Sequence, residues 1–329
     1  MQTVFLIGNG FDVNLGLKTR YAEFYEYYLD IPTDNKNIRA LKEHLRENKS
    51  DFWSDLEIAL GKYTTRFSSF EQIEEIYDDI NDEMKKYILN IENMPLSHDI
   101  DVNLFKKNIS SPESFLSPAE TNRIRALYNS ISVTDHLIDI INFNYTTTID
   151  KIIGYNKKRQ EIAPATYHSS FKTYINSILH VHGMINDPIL GVDNVSQISN
   201  EELVKQGEIV DYLVKPLINT TIGNLIDERS KNAILNAKLI CIYGMSLGET
   251  DAMWWKLVGE RLLKGALLIL YVYDDDAKNL AARKKEKFNK KWRSIFFDMA
   301  SVSDSKRTEL EKRIIIAPNT KIFDIIPKS

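Results

Sequence analysis

Residues 3–12 read TVFLIGNGFD, an apolar run that passes directly into a turn containing two glycines. Such a run is typical of a strand that is buried on both faces of a parallel sheet. Glycine adopts positive φ and lets a ligand approach the backbone closely, so a turn of this kind suits a phosphate. A simple tight turn explains the same glycines. Asn9 and Asp12 favour a ligand, because polar side chains after parallel strands meet at one edge of the sheet.

Five further apolar runs predict the rest of the sheet, and several of them precede segments of helical period. These runs cover residues 137–143, 178–182, 238–243, 267–273 and 313–316.

Between residues 19 and 133 the sequence is charged, aromatic and mostly helical in period. Within it, SPAE at 117–120 has the form of a capping box with proline at the first helical position. The polar stretch 184–207 predicts a long loop. We therefore predict an α/β fold, a Rossmann-like parallel sheet with helices on both faces and a largely helical insertion. Residues 1–18 and 134–329 are expected to form the core, and residues 19–133 the insertion subdomain.

The composition excludes several classes of protein. With 329 residues, of which 43% are hydrophobic and 27% charged, the chain can bury a large core. A net charge of −4 argues against attraction of the whole chain to nucleic acid or to an anionic membrane. The only cysteine, Cys241, cannot form an internal disulfide or a zinc site of several thiolates, so we expect a cytoplasmic protein. No stretch resembles a signal peptide or a spanning helix of about 18 apolar residues, so we expect no membrane partner.

INFNYT at 141–146 ends the second predicted strand. Strand alternation places Asn142 and Asn144 on one face. Asparagines at the end of a strand are common turn formers, and their amides also suit a ligand, so both interpretations stay open.

HVHG at 180–183 ends the third predicted strand, where alternation places His180 and His182 on one face. Three interpretations fit this pair: an acid/base histidine, a structural histidine or a two-histidine metal site. No cysteine, aspartate or glutamate nearby completes a set of metal ligands before Asp187, so we expect no metal.

GMSLGETD at 244–251 lies between two predicted strands, and the second of them ends in three aspartates that begin at Asp274. A strand, a glycine-containing turn, a helix and a strand with an acidic end form the layout of a nucleotide-binding βαβ unit, in which the acidic residue bonds ribose hydroxyls. The glycines do not match GxGxxG, so an ordinary Rossmann dehydrogenase is not supported. Asp251 is alternatively the N-cap of the following helix.

Taken together, these clusters resemble a known family. LIGNGFD with the NLGL that follows it, together with FWSDLE at 52–57, resembles the AbiH family of bacterial abortive-infection proteins. The FNYT, HVHG and GMSLGETD clusters are similar, in the same chain order, to motifs of the wider sirtuin-like NAD-binding superfamily. The resemblance covers residues 1–251. It implies a Rossmann-like domain that binds NAD, and an anti-phage role.

The chemistry that the resemblance implies is cleavage of the bond between nicotinamide and ribose in NAD, without a metal. By resemblance, His182 is the base and Asn144 positions the ribose or water. Many relatives have aspartate where this chain has Thr146, and the four-cysteine zinc module of protein-deacylating sirtuins is missing. The expected dinucleotide contacts lie in the glycine turns and at the acidic strand end: Gly8, Asn9, Gly10, Phe11, Asp12, Gly183, Gly244, Ser246, Asp251 and Asp274.

Two other functions stay open. The first is a sensor or assembly module of phage defence that binds NAD or a nucleotide derivative without cleaving it, which Thr146 favours. The second is a nuclease, which the net charge and the lack of a recognisable metal-binding carboxylate cluster oppose. The lysine-rich stretch 283–291 keeps the nuclease open, although a solvated helical face is the simpler explanation of these charges.

The expected partner is a small-molecule dinucleotide, for which NADP and ADP-ribose derivatives are alternatives to NAD. A phage-derived trigger and a homo-oligomer stay open as partners, and nucleic acid is not expected. Glu57 is either a surface helical residue or, if the insertion folds over the cleft, an additional carboxylate.

Overall fold

The six predicted strands and one further strand, β3, form one seven-stranded sheet. A computed structural model describes residues 1–48, 56–94, 99–131, 134–165, 170–185, 187–221, 223, 225–278 and 281–327. The strands of the sheet are β1 (Gln2–Ile7), β2 (His136–Asn142), β3 (Gln160–Pro164), β4 (Lys172–His180), β7 (Leu239–Tyr243), β8 (Leu267–Val272) and β9 (Ile314–Pro318). Two strands of two residues each, β5 (Gly183–Met184) and β6 (Asp187–Pro188), form a separate antiparallel sheet.

The strands lie in the order β3-β4-β2-β1-β7-β8-β9. Neighbouring strands are parallel, except that β3 runs antiparallel to β4. From β1 the chain moves outward through β2 to β4, returns to the other side of β1 at β7, and moves outward again to β9. The order therefore reverses between β1 and β7, at the middle of the sheet. The prediction of an α/β fold with a mostly parallel sheet is confirmed.

Helices make up much of the remaining chain. Their bounds are α1 (Gly10–Asn14), α2 (Tyr21–Asp30), α3 (Lys36–Glu47), α4 (Leu56–Tyr63), α5 (Phe70–Asn93), α6 (Val102–Ser110), α7 (Pro118–Asn129), α8 (Thr148–Ile153), α9 (Glu201–Val204), α10 (Gly207–Leu213), α11 (Lys215–Thr221), α12 (Ile226–Asn236), α13 (Ala252–Leu263), α14 (Ala282–Met299) and α15 (Asp304–Glu311). The predicted capping box is confirmed at the start of α7, where Ser117 and Glu120 bond each other's backbone N–H groups.

The alternation of side chains along β1 divides the core of the sheet into two layers. Val4 and Leu6 pack on one face with apolar residues of α12, α13, α14 and α15. Phe5 and Ile7 pack on the other face with α6, α7, α8 and the segment 322–325. Burial of each apolar side chain of this size stabilises the folded state by about 1.5–3 kcal/mol. Helices therefore cover both faces, as the continuous apolar strands predict.

A third hydrophobic cluster, which we call the insertion cluster, joins α2, α3, α4 and α5 to residues 185–214. The predicted long loop 184–207 is thus a packing partner of the insertion, with Leu190 and Val192 buried in this cluster. In contrast, α6 and α7 pack on the sheet rather than in the insertion cluster. The division of the chain at residues 19 and 133 stays a prediction.

The lysine-rich stretch lies on α14. Its Phe288 packs on the sheet, while Arg283 and Lys287 are exposed. This arrangement fits the solvated helical face that the sequence suggests. Within the described part of the chain, none of the helices combines the length and the apolar character that a membrane span requires.

Candidate functional site

A cleft of about 900 Å³ lies at the carboxyl ends of β1, β2 and β7. Side chains of α2, α4 and α5 line it from the opposite side, so the insertion folds over the sheet edge. Eight of the residues predicted as functional line it: Gly8, Asn9, Asp12, Asn144, His182, Gly244, Ser246 and Asp251.

The other predicted contacts lie outside this lining. Phe11 is buried in the sheet core, where its ring packs edge-on against Phe323 at 5.2 Å between centroids. The carboxylate of Asp274 accepts a hydrogen bond from the Trp292 indole at 3.2 Å. Gly183 has a φ of 76° and turns the chain into β5. A direct ligand contact by these residues, or by Gly10, stays a prediction.

The glycines of the two turns are required by a close approach of backbone to backbone. The N–H of Gly10 donates to the carbonyl of Gly244 at 2.7 Å, and a Cβ on Gly10 would lie 2.5 Å from the Gly244 Cα. Gly244 itself has a φ of 67°, a conformation that favours glycine. The turns after β1 and β7 are therefore locked together, which supplies a reason for these glycines besides a phosphate.

Asn9 also has a structural task. Its amide nitrogen donates to the Thr19 carbonyl at 2.8 Å, and the Thr19 hydroxyl donates to its amide oxygen. Asn9 thereby ties the turn after β1 to the segment that enters the insertion, while it lines the cleft.

His182 is held against Asp251 at the back of the cleft. Its Nε2 lies 3.1 Å from Asp251 Oδ1, and its ring packs edge-on against Phe143. Asp251 occupies the N-cap position of α13, as the alternative interpretation predicts, but its side chain makes no capping hydrogen bond and is available to His182. Burial opposes ionisation of Asp251, but Lys215 and His182 outweigh this effect and lower its pKa.

His180 has a different set of partners from His182. Its Nε2 lies 3.0 Å from Asp150 Oδ2, and its Nδ1 lies 3.4 Å from the amide nitrogen of Asn142. The two histidines therefore act in separate networks rather than as one pair. In the part of the chain that the structure covers, no group of three or more His, Cys, Asp or Glu side chains could hold a metal ion.

A buried ion pair lies directly behind His182. Lys215 Nζ donates to Glu57 Oε2 at 2.8 Å and lies 3.2 Å from His182 Nε2. Only 3% of the Glu57 side chain is exposed, so its interpretation as a surface residue is wrong. Burial outweighs the attraction of Lys215 and raises the pKa of Glu57. Burial would lower the pKa of Lys215, but Glu57 and Asp251 outweigh it and raise the pKa.

Asn144 presents an unused amide to the cleft. Its side chain is buried, and neither its Nδ2 nor its Oδ1 has a hydrogen-bond partner among the residues described. Asn142 forms the turn, since its Oδ1 accepts the backbone N–H of Asn144 at 3.0 Å. A buried amide without partners costs about 1–3 kcal/mol. A ligand that bonded Asn144 would recover this cost.

Asp12 is a buried carboxyl group on the floor of the cleft. Burial raises its pKa to about 7, and Glu92 adds to this effect. The Thr146 hydroxyl donates to Asp12 Oδ2 at 2.6 Å and favours the ionised form. An aspartate at position 146 would place a second carboxylate against Asp12. Threonine there is therefore matched to Asp12.

Comparison with protein families shows the family of this chain. The family described as Bacteriophage abortive infection AbiH matches residues 4–273. The chain belongs to the AbiH family. The match confirms the resemblance that the turn after β1 carries, and its description indicates a role in phage abortive infection. No curated protein matches the chain.

The AbiH match extends over elements that carry no recognisable motif, including α11 with Lys215. Lys215 follows an ordinary apolar and acidic stretch, so the sequence offers no signal for its place beside His182. In FWSDLE, the AbiH-like segment, residues 52–55 lie outside the described ranges, and only Leu56 and Glu57 can be placed. Membership in the wider sirtuin-like superfamily stays a prediction.

Proposed function

We propose that this AbiH family member is an NAD glycohydrolase that acts in phage abortive infection. The observation that carries the proposal is the unpartnered amide of Asn144, which lines one cleft together with His182 and Asp251. Asn144 would orient a ribose hydroxyl or the attacking water without adding a charge near the cationic nicotinamide. His182, oriented by Asp251, would act as the base.

The topology of the sheet supports a Rossmann-like, sirtuin-like assignment. The six parallel strands β4, β2, β1, β7, β8 and β9 have the spatial order 3-2-1-4-5-6 when they are numbered along the chain. This is the order of doubly wound sheets that bind dinucleotides at the point where the order reverses. The cleft opens at this point, between β1 and β7.

The proposed reaction is a hydrolysis. The bond from the ribose carbon to the nicotinamide nitrogen breaks, and its electron pair leaves with nicotinamide, which becomes neutral. Water forms the new carbon–oxygen bond, and the proton it loses passes to His182 and then to solvent. The products are nicotinamide, ADP-ribose and one proton, so no metal or redox partner is needed. Because charge develops on the ribose in the transition state, a neutral amide at Asn144 suits its positioning.

The test is release of nicotinamide from NAD by the purified full chain, measured by chromatography, together with the NAD content of phage-infected cells that express it. We expect nicotinamide release by the wild type, and its loss in His182→Ala and Asn144→Ala. Asn236→Ala, which changes an exposed asparagine at the end of α12, is the matched control. Intact NAD in both settings, despite binding of NAD by the protein, would contradict the proposal.

A sensor or assembly module that binds NAD or a nucleotide derivative without cleaving it is the second candidate. The hydrogen bond from Thr146 to Asp12 favours it, because it occupies Oδ2, one of the two carboxylate oxygens that could otherwise hold a water or a ribose. Calorimetric binding without nicotinamide release, and phage protection that survives His182→Ala, would support this candidate against hydrolysis.

A further inference from the structure

Two oppositely charged groups approach the same nitrogen of His182. Its Nε2 lies 3.1 Å from Asp251 Oδ1 and 3.2 Å from Lys215 Nζ. A carboxylate only accepts hydrogen bonds, and an ammonium group only donates them. Asp251 therefore requires a proton on Nε2, whereas Lys215 requires an Nε2 without one. The two contacts cannot both be hydrogen bonds at the same time.

The surroundings keep both competitors charged. Lys215 lies 2.8 Å from Glu57 Oε2 and 3.8 Å from Asp251 Oδ1, and only 6% of its side chain is exposed. These carboxylates raise the pKa of Lys215 against the effect of burial. Lys215 and His182 likewise hold the pKa of Asp251 low. The competition for Nε2 is therefore between an ammonium group and a carboxylate.

We propose that Lys215 is a positioning residue that decides which nitrogen of His182 carries the proton. This rests on the proposed function, in which His182 is the base. When Lys215 donates to Nε2, the single proton of the neutral ring lies on Nδ1, and no ring nitrogen is free to take a proton from water. When Nε2–H donates to Asp251 instead, Nδ1 is the free base. The contact of Lys215 with Nε2 thus holds the base inactive.

The competitors belong to different parts of the fold. Glu57 and Lys215 lie on α4 and α11, which pack in the insertion cluster. His182 follows β4, which is a strand of the sheet. Asp251 precedes α13, which packs on the sheet. A rearrangement of the insertion cluster relative to the sheet would therefore move Lys215 away from Nε2 and leave it with Glu57. The pair Glu57–Lys215 links the insertion to the state of His182.

The test compares the tautomer of His182 in two full-length proteins by nitrogen NMR of ¹⁵N-labelled histidine. The variant is Glu57→Gln/Lys215→Met, which removes both charges. Lys215→Met alone would remove the ammonium group that offsets the buried charge of Glu57, which is strongly destabilising. We expect mainly Nδ1–H in the wild type and mainly Nε2–H in the double variant. The His182 signal is assigned by its absence in His182→Gln.

The exposed pair Glu202–Lys205 supplies the matched control. Its Lys205 Nζ lies 2.6 Å from Glu202 Oε1, and the side chains are 68% and 80% exposed. Glu202→Gln/Lys205→Met makes the same chemical changes at the end of α9, and we expect the wild-type tautomer in it. A wild type that already has Nε2–H, or a double variant with an unchanged tautomer, would overturn the proposal.

Activity supplies a second readout that separates the two proposals. If the wild type releases nicotinamide, the double variant should raise kcat by about three- to tenfold with an unchanged KM, because the competent tautomer becomes the major one. An unchanged or lower kcat in the folded double variant contradicts the role of Lys215. Absence of nicotinamide release by the wild type contradicts the proposed function alone, since the NMR comparison contains no NAD.

Discussion

Two layers of polar side chains follow β2 and β4, and they differ in how their hydrogen bonds are satisfied. In the inner layer, Asn142 bonds Nδ1 of His180, and the other nitrogen of this histidine bonds Asp150. Each nitrogen of His180 thus has one compatible partner. In the outer layer, the side-chain amide of Asn144 has no partner among the described residues, and His182 has two incompatible partners on Nε2.

The difference separates structure from function within two short motifs. The inner layer is a completed network, which stabilises the ends of the strands. The outer layer carries unsatisfied and competing groups, which persist in a folded protein only when the rest of the structure supplies the stability. Residues two positions apart in NFN and in HVH therefore have different roles. The same substitution should lower stability in the inner layer and activity in the outer layer.

The largest expected effect is the difference in nicotinamide release between substitutions of His182 and of His180. We expect His182→Ala to lower nicotinamide release by about 10²–10⁴-fold, because the base is removed. His180→Ala should keep most of the activity and lower the melting temperature instead. Both rates are measured on protein whose folding is verified by circular dichroism. Equal losses of activity in the two variants would show that the layers do not divide in this way.

The next effect concerns the buried charges behind His182. Lys215→Met should lower the free energy of unfolding by about 3–5 kcal/mol, because it removes the ammonium group that offsets the buried charge of Glu57. Asp150→Asn in the inner layer should cost about 1 kcal/mol, the usual net worth of a hydrogen bond. Denaturant unfolding measures both changes. The double variant Glu57→Gln/Lys215→Met should recover most of the loss; if it is as unstable as Lys215→Met, the pair does not act as a unit.

Asp12, a buried polar group of the cleft, makes the free energy of unfolding depend on pH. Its folded-state pKa of about 7 lies above its ordinary value, so the folded protein keeps a proton that the unfolded chain has lost. This contribution to stability is complete at low pH and is lost as the pH rises toward 7. Relative to Asp12→Asn, the wild type should lose about 2–4 kcal/mol of unfolding free energy between pH 4 and pH 8.

The matched control for Asp12→Asn is Asp276→Asn, which changes an exposed aspartate after β8. Its unfolding free energy should follow the wild type at every pH. Parallel pH profiles of the wild type and Asp12→Asn would contradict the raised pKa of Asp12.

The smallest expected effect distinguishes the two asparagines. Asn142→Ala should lower the free energy of unfolding by about 1–3 kcal/mol, because it leaves the N–H of Asn144 without its acceptor. Asn144→Ala should leave it unchanged or raise it, since no hydrogen bond within the described protein is lost and a buried amide without partners is removed. Thermal and denaturant unfolding check both. A large loss of stability in Asn144→Ala would reveal a structural role for its amide.

Several features of the site could be predicted because they depend on short stretches of sequence. Apolar runs buried on both faces predict six strands, and the polar residues after them predict the edge at which the cleft lies. The edge strand β3 was missed, since it is short, only partly buried and lacks an apolar run. The place of Asp274 after β8 predicts a ribose contact, which stays a prediction; its hydrogen bond with Trp292 has no signal in the sequence.

The sequence by itself determined the sheet, the turn glycines and the motifs at the strand ends, because each depends on local apolar patterning and backbone conformation. Only the tertiary structure decided that the two residues of each motif have different partners: His180 contacts Asp150, whereas His182 contacts Asp251. It also decided that Glu57 is buried and that Lys215 belongs to the site. Lys215 lies 33 residues after His182, and no local pattern brings them together. Their contact depends on how the insertion cluster packs over the sheet.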